Sequence, residues 1–263
     1  MSWDALQGDV ITHAASALES KRFGLTIGRV VVGQQATEAS CSKTLTALLD
    51  TAAEELLIVR WPTHMLTLGA AAAASQRAII PADVLMYWEV PAGELRPPTA
   101  AIAELGLVTA VPTEADSASR AALEHVVRDS FRDYGNHYTA NPRLDRELAL
   151  AGYLDWATRS LSEDPQDVVL LLHRDEPVGV ATLTVGGGGD DLEVLLAGLT
   201  GATQGQGWYQ YLLAGVGESA RARGCSRVII STQAHNLRVQ RAWSRAAFRP
   251  FGALTTVHAM RRP

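Results

Sequence analysis

The chain has 263 residues, of which 47% are hydrophobic and 19% are charged, and its formal net charge is −5. This composition is typical of a globular protein with a sizeable core and excludes a disordered chain. The negative charge disfavours general nucleic-acid binding, while the length allows either one large domain or two small ones.

Cysteine usage and apolar runs exclude further classes of protein. Cys41 and Cys225 are too few for a disulfide framework, and they lack the spacing of metal ligands. The N-terminal MSWDALQGDV has no basic region followed by an apolar core, and no apolar run approaches the about 18 residues that cross a membrane. We therefore expect a soluble, cytoplasmic protein with no metal site and no membrane partner.

The first part of the chain, residues 1–95, alternates between predicted strands and helices. Strands are predicted at 24–32, 54–61 and 81–90, and helices at 43–52 and 63–75. This order predicts a small α/β domain. No catalytic constellation is recognisable in it, so we interpret it as a scaffold, as a wall of the substrate site or as the surface of a homodimer.

A segment rich in proline and small residues, PAGELRPPTA at 91–100, marks the predicted boundary to a second domain over 105–263. A strand is predicted from residue 106, and Thr113 is a candidate N-cap for the helix that follows. The remaining predicted elements are helices at 121–131 and 147–161, strands at 167–173, 178–185 and 192–199, a helix at 207–223, a strand at 227–233, a helix at 237–247 and a strand at 254–260. An Asp-Glu-Pro turn is expected to join the strands at 167–173 and 178–185 into a hairpin.

The loop before the helix at 207–223 is rich in glycine and glutamine. Residues 200–213 read TGATQGQGWYQYLL. The first free N–H groups of a helix form an anion site, and Gly205 and Gly207 would let the backbone approach a ligand closely. The amides of Gln204 and Gln206 would add neutral donors. Taken alone, such a turn is more often a plain connection than a phosphate site.

Three separated motifs in the second domain resemble those of the GNAT family of acyl-CoA-dependent N-acyltransferases. Residues 204–209, QGQGWY, are similar to the acetyl-CoA motif Gln/Arg-x-x-Gly-x-Gly/Ala, and the strand EVLLAGL at 193–199 resembles the glutamate and apolar run before it. Asn236, Trp243 and the pair Ala247-Phe248 match a second motif downstream. The resemblance covers roughly 105–263.

The resemblance implies a fold and a cofactor. The implied fold is a mixed, mostly antiparallel sheet with flanking helices, of α/β or α+β class, preceded by the smaller α/β domain as a degenerate GNAT-like half. The implied donor is acetyl-CoA or another acyl-CoA, whose pantetheine arm would pair with the backbone of a splayed strand ending near Leu199. Its pyrophosphate would lie on the N–H groups of 205–209.

The residues implied in cofactor binding are Leu199, Thr200, Gln204, Gly205, Gln206, Gly207, Trp208, Tyr209 and Asn236. The N–H of Leu199 or Thr200 is the expected donor to the thioester carbonyl oxygen. Asn236 would bond to the pantetheine or hold the local backbone, and it is equally a candidate helix N-cap.

Glu193, Tyr209 and Trp243 are the catalytic candidates. Glu193 would act as the general base if burial raises its pKa, and its alternative is an outward-facing strand residue. His137, Asp133 and His173 are the other candidate bases.

Two of these residues depart from the family pattern. Trp243 stands where the family often has a tyrosine that protonates the leaving thiolate, and an indole N–H cannot serve as that acid. Tyr209 replaces a small residue of the motif, so it either narrows the cofactor slot or partly substitutes for the missing hydroxyl.

The polar-aromatic segment 131–161 resembles the acceptor side of amino-sugar acetyltransferases of the family, TDP-fucosamine acetyltransferase among them. The candidate acceptor residues are Phe131, Tyr134, His137, Tyr138, Asn141 and Arg143. Aromatic faces beside amide and imidazole edges suit a polyhydroxylated or heteroaromatic molecule. The alternative is a loop whose aromatic side chains pack on the core.

The leading hypothesis is therefore an N-acyltransferase that moves an acyl group from acyl-CoA to a primary amine of a small polar metabolite, such as an amino sugar or a natural-product intermediate. A second hypothesis keeps the fold and uses an aminoacyl-tRNA or a carrier-protein thioester as donor, although the acidic charge argues against tRNA. A third is a degenerate domain that binds CoA without catalysis.

Overall fold

The computed structural model describes residues 3–98 and 100–262. Its strands are β1 (Ile11–Ala15), β2 (Ile27–Val32), β3 (Leu56–Pro62), β4 (Ala78–Pro91), β5 (Leu107–Ala110), β6 (Val168–His173), β7 (Glu176–Gly186), β8 (Asp191–Leu199), β9 (Arg227–Gln233) and β10 (Arg249–Met260). Its helices are α1 (Ala17–Phe23), α2 (Glu38–Thr51), α3 (Thr67–Ala73), α4 (Ser117–Phe131), α5 (Arg146–Glu163), α6 (Tyr209–Ala222) and α7 (Leu237–Arg245). The strands belong to a mixed, mostly antiparallel sheet, as expected for the α/β class.

Two compact units divide the chain, and neither is continuous in sequence. The first unit comprises Met1–Met86, Gly135–Ala149 and Gly252–Pro263, and the second comprises Tyr87–Tyr134 and Leu150–Phe251. This division differs from the predicted domains 1–95 and 105–263, because two later segments fold with the N-terminal residues. The difference has a direct consequence for the candidate acceptor segment, which is distributed between the units.

In the first unit the strand order is β1-β2-β3-β10. The pair β2/β3 is parallel and is connected through α2, while β1 and β10 run antiparallel to their neighbours. Because side chains alternate across a strand, one face of this sheet buries an apolar core with α2 and α3, built from residues such as Leu57, Val59 and Val257. The opposite face carries Arg60 and His258.

In the second unit the strands follow the order β9-β8-β7-β6-β5. The pair β8/β9 is parallel and is connected through α6, whereas the pairs β7/β8, β6/β7 and β5/β6 are antiparallel. Helix α6 packs an apolar core against one face through Leu212 and Val216. Helices α4 and α5 cover the other face through residues such as Val127 and Leu161.

Most predicted elements are present, with local differences that have identifiable causes. The N-cap of α4 is Asp116, whose carboxylate accepts a hydrogen bond from the N–H of Ser119 at 2.7 Å, so the choice of Thr113 was wrong. The turn between β6 and β7 is formed by Arg174 and Asp175, both at positive φ, while the predicted Asp-Glu-Pro turn lies partly inside β7. Strand β1 and helix α1 had not been predicted.

Among the described residues no helix combines the length and the apolar character that crossing a membrane requires.

Candidate functional site

The parallel strands β8 and β9 separate before they end. Their pairing runs from Asp191 opposite Arg227 to Val194 opposite Ile230. Strand β8 continues to Leu199 and β9 to Gln233, so the last part of each strand has no partner in the other. Backbone polar groups on the separated side of β8 therefore have no partner in β9 and could pair with a ligand.

The direction of these backbone groups follows from the antiparallel pairing with β7. Thr200 donates its N–H to the carbonyl of Val178 at 2.9 Å, which makes that pair a hydrogen-bonded one. In an antiparallel ladder such pairs alternate with non-hydrogen-bonded pairs, so Leu199 and Ala197, opposite Gly179 and Ala181, point their N–H groups away from β7. The structure thus contradicts Thr200 as a carbonyl donor and keeps Leu199 as a candidate.

The loop between β8 and α6 presents a row of free backbone donors, which we call the cradle and define as residues 205–209. The described part of the chain provides no hydrogen-bond acceptor for the N–H groups of these residues. Gly205 and Gly207 adopt φ values of 85° and 79°, a left-handed conformation that glycine adopts without steric cost. Free N–H groups at the N-terminal end of a helix such as α6 favour an anion electrostatically.

Both glutamine side chains of this loop are already engaged with the protein. Gln204 donates from Nε2 to the carbonyl of Leu199 at 3.0 Å and accepts from the guanidinium of Arg238. Gln206 donates from Nε2 to the carbonyl of Ala202 at 3.0 Å. The amides therefore hold the loop in shape instead of adding donors to the cradle, and Arg238 brings a cation beside it.

Tyr209 and Trp243 meet at the start of α6. The indole Nε1–H of Trp243, which is 1% exposed, donates to the hydroxyl oxygen of Tyr209 at 3.2 Å. Because that hydroxyl accepts the indole proton, its own proton is directed elsewhere. Desolvation raises the pKa of Tyr209 above its usual value, although the bond from Trp243 opposes this shift.

Polar side chains gather where β9 has left β8. Tyr134, next to the C-terminus of α4, contacts Thr232 Oγ1 at 3.1 Å and donates its hydroxyl proton to Gln233 Oε1. Asn236 occupies the N-cap position of α7 but makes no side-chain cap bond, and its Nδ2 donates to Thr232 Oγ1 at 3.0 Å. Asn236 therefore holds the end of β9.

Glu193 lies on β8 with only 5% of its surface exposed, so the alternative of an outward-facing residue is wrong. A bulge at Leu195 shifts the register, because Val194 is opposite Leu183 whereas Leu196 is opposite Thr182. Val194 faces α6 and Leu196 faces α4, so Glu193 shares the α4 face with Leu196.

The α4 face also contains hydroxyl groups without partners. Ser130 Oγ and Thr182 Oγ1 are both buried and make no hydrogen bond with any residue that the structure describes. Helix α4 approaches β8 closely here, since a Cβ on Gly198 would lie 2.8 Å from the Cβ of Ser130. Buried hydroxyls normally find partners, so these two indicate a polar ligand or water on this face.

Most of the predicted acceptor residues have internal partners. Phe131 is 7% exposed and stacks on Tyr153 at 4.9 Å between ring centroids. His137 and Asn141 are buried in the first unit, where both bond to His258. These contacts correspond to the alternative in which the aromatic segment packs on the core.

The remaining candidate residues fall in both units. Tyr138 donates its hydroxyl proton to Glu19, and Arg143 is exposed in the same unit. Asp133 is exposed, and His173 contacts the indole of Trp208 at 4.7 Å between centroids. Tyr134 is therefore the predicted acceptor residue that the structure places beside the end of β9.

Several candidate residues were missed by the sequence analysis. Ser130, Thr182 and Ala197 are small residues whose roles depend on unpaired atoms, and no spacing rule indicates them. Arg238 could have been predicted from the sequence, because it is a cation in the first turn of a helix within the second motif.

Comparisons with known proteins find one family match and several structures of similar fold. Residues 122–248 match the model of the Acetyltransferase (GNAT) family. A GCN5-related N-acetyltransferase from Sphaerobacter thermophilus is 16% identical, with a TM-score of 0.61 and coverage of 97% of this chain and 78% of that one. A search of curated proteins finds no match.

Two further solved structures resemble the chain at low identity. A tandem GNAT protein from the clavulanic acid biosynthesis pathway is 13% identical, with a TM-score of 0.56 and coverage of 90% and 76% of the two chains. The glucosamine N-acetyltransferase region of a fungal multi-domain β-N-acetylglucosaminidase is 10% identical, with a TM-score of 0.61 and coverage of 94% of this chain and 31% of that one. These likenesses show a shared fold, and with the family match they support a GNAT-type N-acyltransferase.

Proposed function

We propose that this GNAT-type N-acyltransferase moves an acyl group, in the simplest case acetyl, from acyl-CoA to the primary amine of a small polar metabolite. The observation that carries the proposal is the cradle of free N–H groups beside a parallel strand pair that separates. When bound, the acyl-CoA supplies an activated acyl carbon and a thiolate leaving group. The chain supplies binding, orientation and proton handling.

The cradle fits a pyrophosphate. Consecutive N–H groups at 205–209 and the N-terminal end of α6 favour a doubly charged anion. Arg238 would add a charge-assisted contact, since its guanidinium already lies against Gln204. The exposure of Gly205, Gln206 and Gly207 leaves the site accessible.

The separated edge of β8 would position the pantetheine and the thioester. The N–H groups of Leu199 and Ala197 point to the side that β9 has left, where an extended arm adds like a strand. One of them would donate to the thioester carbonyl oxygen, which lowers the barrier to attack because the donor is already oriented. Gln204 strengthens this arrangement by fixing the carbonyl of Leu199.

Glu193 would act as the base through water. Ala197 lies four residues further along β8, a span of about 13 Å in an extended strand. A glutamate side chain does not cover that distance, so a proton from an amine near Ala197 or Leu199 would reach the carboxylate through ordered water. The burial of Glu193 on the α4 face is consistent with this role.

Tyr209 would stabilise the leaving thiolate by donating a hydrogen bond. A thiol has a pKa of about 8.5 and the pKa of Tyr209 is raised, so complete proton transfer to the sulfur is unfavourable. Trp243 orients the phenol through its indole N–H. The pair thereby supplies the hydroxyl that the indole at 243 cannot.

The acceptor would bind on the α4 face of the second unit. Ser130, Thr182 and Tyr134 offer hydroxyl groups there, which suits a polyhydroxylated amine such as an amino sugar. The fungal neighbour, named as a glucosamine N-acetyltransferase region, supports this class of acceptor at the level of fold.

We also propose that the first unit is a degenerate GNAT-like half. Its order β2-α2-β3, with a parallel strand pair, repeats the order β8-α6-β9 of the second unit. The likeness to a tandem GNAT protein supports this interpretation.

Calorimetry with CoA, followed by a transfer assay with acetyl-CoA and a panel of primary amines, tests the function. We expect micromolar binding of CoA and release of free thiol with at least one amino sugar or related amine. Absence of CoA binding would remove the proposed donor and favour a carrier-protein or aminoacyl-tRNA donor. Binding without transfer to any amine would contradict the proposed reaction.

A further inference from the structure

The first unit contains a buried arginine without an acidic partner. Arg60 lies on β3 and is 9% exposed. Its Nε donates to Thr256 Oγ1 at 3.3 Å, and within the described ranges 3–98 and 100–262 no carboxylate forms an ion pair with it. A largely buried guanidinium without a nearby anion carries an electrostatic cost, which an anionic ligand would reduce.

The nearby carboxylate of Glu19, whose charge acts on His258 as that of Arg60 does, already has partners. Glu19 is 2% exposed and forms an ion pair with Arg29 at 2.7 Å, and it also accepts the hydroxyl proton of Tyr138. Arg29 and Arg60 together carry two positive charges against the single negative charge of Glu19. The cluster therefore retains one uncompensated positive charge.

A chain of hydrogen bonds determines the proton positions on two histidines beside Arg60. Asn141 Oδ1 accepts a hydrogen bond from the backbone N–H of Arg143 at 3.1 Å, which identifies the oxygen of this amide. The amide nitrogen Nδ2 therefore donates to His258 Nδ1 at 3.2 Å. His258 Nδ1 must then accept, and its Nε2 carries the proton that is donated to His137 Nδ1 at 3.0 Å. His137 consequently carries its proton on Nε2.

These proton positions add a second donor without a partner. His137 Nε2–H has no acceptor among the described residues, and Thr256 Oγ1, which accepts from Arg60, keeps its own proton to donate. Burial lowers the pKa of both His137 and His258, and the charge of nearby Arg60 contributes to both shifts. Guanidinium, imidazole and hydroxyl donors in one cluster are the groups that recognise an oxyanion.

We propose that the first unit binds the carboxylate or phosphate group of a small molecule through Arg60, with His137 and Thr256 as additional donors. The site is independent of the proposed acyl transfer, because all of its residues belong to the first unit. The anion would supply the counter-charge that the described residues do not.

Thermal unfolding of the full chain with succinate and, separately, with inorganic phosphate tests the proposal. In wild type we expect the midpoint to rise with anion concentration, since a ligand that binds the folded state stabilises it. Arg60→Gln should reduce the affinity by about tenfold or more, because it removes the charged donor. It should also raise the midpoint in anion-free buffer, because it removes a buried, unpaired charge.

Arg262→Gln is the matched control, since it removes the same charge from an exposed position of the first unit. It should keep the wild-type response to both anions. A larger response to succinate identifies a carboxylate ligand, and a larger response to phosphate identifies a phosphate ligand. The proposal is overturned if wild type responds to neither anion, or if Arg60→Gln responds as wild type does.

The ring nitrogen signals of His137 provide a measurement that needs no variant. In ¹⁵N-detected spectra of wild type, the protonated Nε2 resonance should move in a saturable way as succinate or phosphate is added. An unchanged resonance at concentrations that raise the unfolding midpoint would place the anion elsewhere and overturn the assignment to this cluster.

Discussion

Each unit contains a strand–loop–helix segment that leads into a second, parallel strand. The two loops differ in whether their backbone N–H groups have a hydrogen-bond acceptor. In the second unit the N–H groups of 205–209 have no acceptor within the described chain. In the first unit the loop between β2 and α2 is covered by the N-terminal segment. Gly33, Gln34 and Gln35 donate to the carbonyls of Val10, Leu6 and Gly8 at 3.1, 2.7 and 3.0 Å.

The parallel strand pairs of the two units also differ in how far their pairing extends. Pairing of β2 with β3 continues to Val31, one residue before β2 ends, whereas pairing of β8 with β9 stops at Val194, well before Leu199. The first turn of α2 also carries Glu38, which accepts the hydroxyl of Thr67 at 2.8 Å and would repel an anion. The same local architecture can therefore bind a ligand only where no other part of the chain forms hydrogen bonds with its backbone.

The largest expected effect is a loss of stability in the covered loop of the first unit. A Cβ on Gly33 would lie 2.0 Å from the carbonyl oxygen of Gly8, so Gly33→Ala must displace the N-terminal segment. We expect the free energy of unfolding to fall by about 3 kcal/mol or more. Urea denaturation measures this change, and calorimetry should show unaltered CoA affinity in the folded variant.

Gly207→Val is the matched change in the open loop. Nothing lies within 4 Å of an added Cβ, but the φ of 79° disfavours a branched side chain. CoA affinity should fall by about tenfold or more, with stability changed by less than in Gly33→Ala. If the two variants exchanged these effects, the distinction between a covered and an open loop would be contradicted.

The next effect is a loss of catalytic rate, since the proposed general base belongs to the second unit. Glu193→Gln removes the proposed base and should lower kcat by about 100-fold while leaving the dissociation constant of CoA nearly unchanged. Steady-state kinetics with calorimetry separate the two quantities. A near-normal rate across the pH range would exclude Glu193 as the base.

A smaller effect is expected at the phenol beside the cradle. Tyr209→Phe should lower kcat by about tenfold, since it removes one hydrogen bond to the leaving sulfur. Trp243→Phe keeps the phenol but loses its orienting bond of 3.2 Å, so its loss of kcat should be smaller. An equal or greater loss in Trp243→Phe would mean that Tyr209 does not contact the leaving group.

The smallest effect concerns the buried histidines of the first unit. Burial lowers the pKa of His258 from 6.5 to about 4, and the pKa of His137 is also lowered. As the pH falls from 6.5 towards 4, the unfolded chain binds protons that the folded chain does not, so stability decreases; above 6.5 this contribution is constant. We expect His258 alone to contribute a loss of about 1–2 kcal/mol between pH 7 and pH 5.

Urea denaturation at the two pH values measures this loss of stability. The variant His258→Asn should show less of it, while His125→Gln, which alters an exposed histidine of α4, should retain it. Equal stability of wild type at pH 7 and pH 5 would contradict the assignment.

The amino-acid sequence by itself determined the elements and motifs that depend on neighbouring residues. The apolar run at 227–233 predicted β9 with its observed bounds, and Gly205 and Gly207 adopt the positive φ values that glycine permits. The match of residues 122–248 to the GNAT family agrees with the motifs around Gln204 and Asn236. Local periodicity and turn chemistry act over a few residues, so they can be recognised without the fold.

Only the tertiary structure decided which polar groups remain free. It brought residues 135–149 into the first unit, where His137 and Asn141 bond to His258 instead of lining the proposed acceptor site. It also covered the loop at Gly33 and left the cradle open. Whether a backbone or side-chain donor is satisfied depends on contacts between segments far apart in the chain, and these are formed only when the whole chain folds.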